Sequence, residues 1–208
     1  MSKMTVYDIE KEVFSKVEEP DPLASYTYAD YIKWQFEEQM EIIRGKIFKM
    51  SPAPAPIHQK ISIAIGSIFY QQLKKKKCQV FPAPFDVRLP IRNRKKDNEI
   101  TTVVQPDLCI ICDTEKIDVR GCIGAPDLIV EILSPGNSKK EVKLKFDVYE
   151  KAGVKEYWIV YPAEETVAVL LLNENSKYNG AILYAGNDNI QSVAVQGLTA
   201  SIKEIFRK

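Results

Sequence analysis

The segment from 125 to 162 constrains the fold more than any other part of the chain. It begins APDLIVEIL, passes through a lysine-rich stretch with helical spacing, and ends EYWIVYP. An apolar run on each side of an amphipathic helix, with no alternation inside either run, describes strands buried on both faces. A mixed α/β sheet with helices packed on it follows. The remaining elements agree with that frame. Ile61, Ile65, Ile68, Phe69 and Leu73 recur at helical spacing and predict a helix over about 57–75. Strands are expected near 78–81, 84–90, 103–112 and 126–133. A helix over about 138–152 should end at Gly153, and a C-terminal β meander should run over 166–172, 179–185 and 190–195. Upstream, Thr27 and Asp30 have capping-box spacing and start a helix expected to reach Phe36. A tight turn at Arg44-Gly45 joins two strands, 40–44 and 46–50, into an N-terminal hairpin. The SPAPAP segment at 51–56 is unsuited to regular structure, since its prolines lack donors. Residues 1–25 are expected to be an irregular lead-in, and 26–208 a single domain.

The net charge of +1 excludes whole-molecule attraction to a polyanion, so any such binding must come from local basic runs. Those are Lys74 to Lys77, Arg92 to Lys96, and Lys139, Lys140, Lys143 and Lys145, each of which also suits an ordinary solvated face. The opening MSKMTVYDIEKEVF has no apolar core of a leader peptide, and the apolar runs are too short and interrupted to span a bilayer. A cytoplasmic protein with no membrane association is expected. Cys109 and Cys112 have knuckle-like spacing but lie on a strand, where positions three apart face opposite sides. The four cysteines are therefore read as small core residues and not as a zinc site.

Two segments share a Pro-Asp pair leading into a buried strand: QPDLCII at 105–111 and APDLIVEIL at 125–133. Glu131 sits in the second run between Val130 and Ile132, where an ionised carboxylate needs a partner. Asp127 is four residues away on the same strand, about 13 Å at ~3.3 Å per residue, too far to share a cation with it. Asp107 opens its strand while Glu131 lies near the end of the next, so antiparallel pairing would bring those two together. On the helix that follows, Val142, Leu144, Phe146, Val148, Tyr149 and Ala152 form an apolar arc with Lys145 at its middle. A lysine there must snorkel outward or meet an anion, and the adjoining carboxylates are the natural anion. Glu41, on the hairpin, and His58, the sole histidine, in the first turn of the 57–75 helix, are further candidates. Each could equally be a structural polar residue.

The stretches YTYADYIKW, MEIIRGKIFKMSPAPAPIHQKI, FPAPFDVRLP, VVQPDLCIICD, GAPDLIVEILSPGNSKKEVKLKFDVYEKAGVKEYWIVYP and GLTASIKEIF together resemble a large bacterial family of restriction-endonuclease-like proteins of the Uma-two type. That family is a divergent branch of the PD-(D/E)XK nucleases, and the resemblance covers about residues 24–206. It implies a restriction-endonuclease-like core, with Asp107 matching the metal-binding aspartate and Glu131 the acidic half of the (D/E)XK motif. Leu133 stands where that motif has lysine, and Lys145 on the next helix matches the displaced lysine. Glu41 and the His58-Gln59 pair match further residues lining the family's site. The implied activity is phosphodiester hydrolysis in nucleic acid, expected to be DNA. Asp107, Glu131 and the backbone carbonyl of Ile132 would hold Mg²⁺ or Mn²⁺, assisted by Lys145, and a homodimer would suit cleavage of both strands. The alternatives are a non-catalytic nucleic-acid-binding module on the same fold, or a small-molecule or protein-interaction role with the acidic site as a structural ion cluster.

Overall fold

The computed structural model describes residues 3–8, 13–18, 21, 23–34, 40–49, 55–91, 94–134 and 139–207. Strands β1 (Lys3–Asp8) and β2 (Val13–Glu18) pair antiparallel, where the sequence reading expected irregular chain. Helix α1 (Tyr28–Tyr31) starts as expected: the Asp30 carboxylate accepts from Thr27 N and Oγ1 at 2.9 and 2.8 Å. It is only four residues long, and the expected end near Phe36 falls outside the described residues. Strands β3 (Met40–Ile43) and β4 (Lys46–Lys49) form the expected hairpin, with Arg44 and Gly45 at positive φ in the turn. Four of the six SPAPAP residues, 51–54, lie outside the described residues.

Helix α2 (Pro56–Leu73) opens with proline in its first turn, where the missing N–H costs nothing. It is followed by β5 (Gln79–Pro82), β6 (Val87–Arg88), β7 (Val103–Val104), β8 (Leu108–Ile111), β9 (Ile117–Asp118) and β10 (Gly121–Ile123). Then come β11 (Leu128–Ile132), α3 (Lys139–Ala152), β12 (Glu156–Tyr161), β13 (Thr166–Leu171), β14 (Ile182–Ala185), β15 (Asn189–Gln191), β16 (Thr199–Ser201) and α4 (Ile202–Ile205). Two six-stranded sheets result, in the orders β4-β3-β7-β6-β10-β9 and β14-β13-β12-β11-β8-β5. The second is the main sheet. It is mixed, because β11 runs parallel to β12 and antiparallel to β8.

The single strand expected over 103–112 is thus two strands in different sheets, and 84–90 contributes only β6. The physical reason is proline. The chain passes between the sheets at Pro84, Pro106 and Pro126, and a residue without an N–H cannot continue a ladder. The meander is present as β12-β13-β14, but β15 leaves it to pair with β16 in a separate two-stranded sheet.

Alternation along β11 assigns the faces. Leu128, Val130 and Ile132 pack with Ile61, Ile65, Phe69 and Leu73 of α2, and with the C-terminal Leu198, Ile202 and Ile205. Ile129 packs on the opposite face with Val148 and Tyr149 of α3 and with Ile43, Val87 and Val104 of the second sheet. Each fully buried aliphatic or aromatic side chain contributes roughly 1.5–3 kcal/mol, so these two layers supply most of the driving force. Gly153, at φ +87°, ends α3 by donating to the Tyr149 carbonyl at 3.1 Å. One expectation about cysteine is corrected: Cys78 and Cys112 are joined in a disulfide. The β5–β8 register, which pairs Gln79 with Ile111, places 78 directly opposite 112 when extended by one residue. Cys109 and Cys122 are buried free thiols, and desolvation pushes Cys122 up to about 12. Among the described residues no helix is long and apolar enough to cross a membrane.

Candidate active site

The candidate residues meet where the chain passes from the second sheet into the main one. β8 pairs with β11 as Val130↔Leu108, and one further step of that register sets Asp107 opposite Glu131. Another step sets Ile132 opposite Pro106. Because Pro106 has no N–H, it cannot donate to the Ile132 carbonyl. The Ile132 N–H instead donates to Asp107 Oδ2 at 2.6 Å. The Pro-Asp pair therefore opens the ladder, frees a strand carbonyl and fixes the aspartate beside it.

Glu131 points to the α3 face of the sheet, where Lys145 and Tyr149 meet it. Lys145 Nζ lies 2.9 Å from Glu131 Oε1 and 3.0 Å from Glu41 Oε1. The Tyr149 hydroxyl donates to Glu131 Oε1 at 2.6 Å, and the backbone N–H of Gln105 donates to Glu41 Oε1 at 2.8 Å. Glu41, Glu131 and Lys145 are each no more than 8% exposed. His58 enters from the first turn of α2, with Nε2 3.2 Å from Asp107 Oδ1, and it also hydrogen-bonds the Ile132 carbonyl. Among the described residues its buried Nδ1 has no partner. The structure thus brings Glu41, His58, Asp107, Glu131, Ile132 and Lys145 into one cluster.

Electrostatics follow from crowding. Burial is the main force on Glu131 and pushes its pKa up to about 7, with Asp107 and Glu41 adding to the rise and Lys145 and Tyr149 opposing it. For Lys145 burial works against the charge, but Glu131 and Glu41 outweigh it and hold the side chain as an ammonium. For His58 burial also opposes the cation, but the hydrogen bond and charge of Asp107 win, and its pKa is raised. Desolvation and the Glu131 charge keep the Tyr149 hydroxyl protonated, so it remains a donor. Three carboxylates face one permanent cation and one histidine.

Divalent-cation binding can be weighed against these oxygens. The Asp107 and Glu131 carboxylates and the released Ile132 carbonyl form an all-oxygen set of the type Mg²⁺ or Mn²⁺ prefers. Ionised Asp107 and Glu131 would supply the negative charge that a dication needs, and the His58 imidazole already bridges two members of the set. Among the described residues, no three or more His, Cys, Asp or Glu side chains are arranged to hold a metal. The backbone carbonyl and solvent would therefore have to complete any coordination.

Other sequence candidates lie apart. Asp127 of the second Pro-Asp pair accepts from Lys155 Nζ at 2.7 Å and Cys112 N at 2.8 Å. Burial raises its pKa, but these donors outweigh burial and lower it. It ties β8 to β12 and has a structural role. Gln59 is exposed, as are Lys74 to Lys77, Lys139, Lys140 and Lys143. Arg92 and Asn93 lie outside the described residues. Sequence reading did not select Tyr149 or Gln105. Tyr149 lies four positions after Lys145, hence on the same helix face, so its part could have been inferred. Gln105 acts through its backbone N–H, which no residue type announces.

A mixed sheet whose Pro-Asp carboxylate, strand glutamate and following-helix lysine converge at a proline-opened ladder has the layout of a PD-(D/E)XK nuclease core. The family model Uma2, described as "Putative restriction endonuclease", matches residues 28–203, and the chain belongs to that family. It is 24% identical over 190 residues to the uncharacterized protein slr1290 of Synechocystis sp. (strain ATCC 27184 / PCC 6803 / Kazusa), covering 89% of this chain and 94% of that one. The fold is similar to a crystal structure described as a "putative nuclease belonging to DUF820" from Anabaena variabilis ATCC 29413. The TM-score is 0.68 at 23% identity, covering 87% of this chain and 97% of that one.

Proposed function

We propose that this chain is a metal-dependent endonuclease that hydrolyses phosphodiester bonds in nucleic acid, DNA in the first instance. The observation that carries the reading is the placement of Asp107 opposite Glu131, with the Lys145 ammonium 2.9 Å from the glutamate. Asp107, Glu131 and the Ile132 carbonyl would hold Mg²⁺ or Mn²⁺. A cation of that kind polarises a phosphate oxygen and acidifies bound water. The chain's own residues do the rest. Lys145, kept charged by two glutamates, holds positive charge where negative charge develops on phosphate. Tyr149 and Gln105 fix the glutamate oxygens that Lys145 touches, so the ammonium is positioned before substrate arrives. Burial raises the Glu131 pKa to about 7, and because the carboxylate must be ionised to hold a cation, binding one would release its proton. A homodimer, with one site for each strand of a duplex, and a cytoplasmic setting belong to the same reading.

A second reading, a non-catalytic nucleic-acid-binding module, is favoured by one observation. Both Asp107 oxygens are engaged, Oδ2 by the Ile132 N–H and Oδ1 by His58. Cleavage of plasmid and single-stranded substrates in Mg²⁺ or Mn²⁺ decides between the two. The nuclease reading expects cleavage by the wild type, lost in Asp107→Ala and Lys145→Ala while nucleic-acid binding survives. Binding without cleavage in every metal leaves the module.

A further inference from the structure

Beyond the acidic cluster, a cleft of about 450 Å³ opens where β11 and β12 end. It is lined by Ile57, His58, Leu133, Tyr161, Pro162 and Glu164, among others. Its position follows from the ladder. The Leu133 N–H donates to the Val160 carbonyl at 2.9 Å, but the next donor on β12 would be Pro162, which has none, so the parallel pairing stops there. The cleft thus lies at the carboxyl ends of β11 and β12, the parallel pair of the main sheet. The cleft is continuous with the candidate active site, because His58 lines it and also contacts Asp107 at 3.2 Å. Leu133 is two residues beyond Glu131, about 7 Å along the strand.

The lining specifies the occupant. Leu133, Pro162 and Ile57 offer apolar surface and Tyr161 a flat aromatic ring, while the described lining contains no lysine or arginine to receive a phosphate. Glu164 at the rim repels anions and accepts from amino or imino N–H groups. The volume lies within the roughly 300–1,000 Å³ of small-ligand sites. A nucleobase, neutral, flat and edged with N–H donors, matches these properties, and the phosphate attached to it would lie at the neighbouring cation site. A base inside a duplex is stacked on both sides and cannot enter without being extruded.

We propose that this cleft takes an unpaired nucleobase against Tyr161, so that the substrate class of the adjoining site is single-stranded or locally unpaired nucleic acid. The proposal rests on the nuclease reading for the phosphate's position, but base capture can be measured without cleavage. The experiment is fluorescence anisotropy of the full chain in EDTA, with a labelled single-stranded oligonucleotide and the duplex of the same sequence. Wild type is compared with Tyr161→Leu, which keeps apolar volume without the ring, and with Ile57→Ser, at a side chain already 50% exposed. Parallel reactions in Mg²⁺ record cleavage. The expected result is single-strand binding at least tenfold tighter than duplex binding. Each variant should weaken the single-strand affinity by about tenfold, within what one stacked base contributes, and leave duplex affinity unchanged. Equal affinity for both forms, or unchanged single-strand affinity in both folded variants, overturns the proposal. A ring-dependent single-strand preference with no cleavage on any substrate keeps the cleft's role and removes the catalytic reading. Cleavage of both substrates at equal rates by wild type and both variants keeps the catalytic reading and removes the cleft's role.

Discussion

Lys145 bridges two carboxylates from different sheets, with its Nζ 2.9 Å from Glu131 Oε1 on β11 and 3.0 Å from Glu41 Oε1 on β3. One ammonium thereby fastens the N-terminal hairpin, the main sheet and α3 to a common point. All three groups are buried, so removing the cation leaves two desolvated carboxylates facing each other.

Lys145→Met, which keeps the stem and removes the charge, is therefore expected to cost about 3–5 kcal/mol in urea-denaturation experiments, the scale for breaking a buried ion pair from one side. Pairing it with Glu131→Gln should recover part of that loss, because the amide does not need the ammonium. A double-mutant cycle in which the two losses simply add would show that the pair is not coupled.

Much of this arrangement was legible in the sequence. A lysine in the middle of an apolar arc and a glutamate inside an apolar strand are both costly alone, and the economical solution is that they meet, as they do. The meeting of Asp107 and Glu131 was readable only on the condition of antiparallel pairing, which the β8–β11 ladder meets. The division into two sheets was not. Pro106 marks a break between Val103–Val104 and Leu108–Ile111, but both segments are equally apolar and nothing in them says that they join different sheets. The β1–β2 hairpin and the Cys78–Cys112 bond were missed for a related reason, since register is a tertiary property that local pattern does not carry. The roles of Tyr149 and Gln105 likewise depend on which atoms the packing brings within reach.

Glu131 predicts how stability varies with pH. Its folded-state pKa of about 7 lies above the ordinary glutamate value of 4.5. The protonated form is the one favoured by folding, so the stabilisation is complete below about 4.5 and is lost as pH rises through 7. Across that window the wild type should lose on the order of 1–3 kcal/mol. Glu131→Gln should flatten the slope, as read by chemical denaturation at a series of pH values. An unchanged slope in the variant would assign the dependence to another group.

His58 is the sole histidine, so one imidazole resonance reports the site directly. Its pKa is raised by Asp107 against the opposing effect of burial. The NMR titration midpoint should therefore lie above the ordinary histidine value, and Asp107→Asn should bring it down. The associated stability is present below the unfolded-state pKa and disappears as pH rises through the folded-state value. A midpoint at or below the ordinary value would mean that the 3.2 Å contact does not persist in solution.

The two Pro-Asp pairs have the same local sequence logic and different surroundings, which makes them a matched comparison. Asp107 is beside Glu131 and the Ile132 carbonyl, whereas Asp127 is held by Lys155 and the Cys112 N–H at the other end of the strand pair. Asp127→Ala leaves a buried N–H without its acceptor and should cost about 1–3 kcal/mol. It should leave unchanged any rise in Tm produced by millimolar Mg²⁺ or Mn²⁺. Asp107→Ala should abolish that rise, because a cation stabilises the fold only to the extent that it binds the native state. Thermal denaturation of the three proteins with and without metal checks both halves. Loss of the metal response in Asp127→Ala, or its retention in Asp107→Ala, would reverse the assignment of the two aspartates.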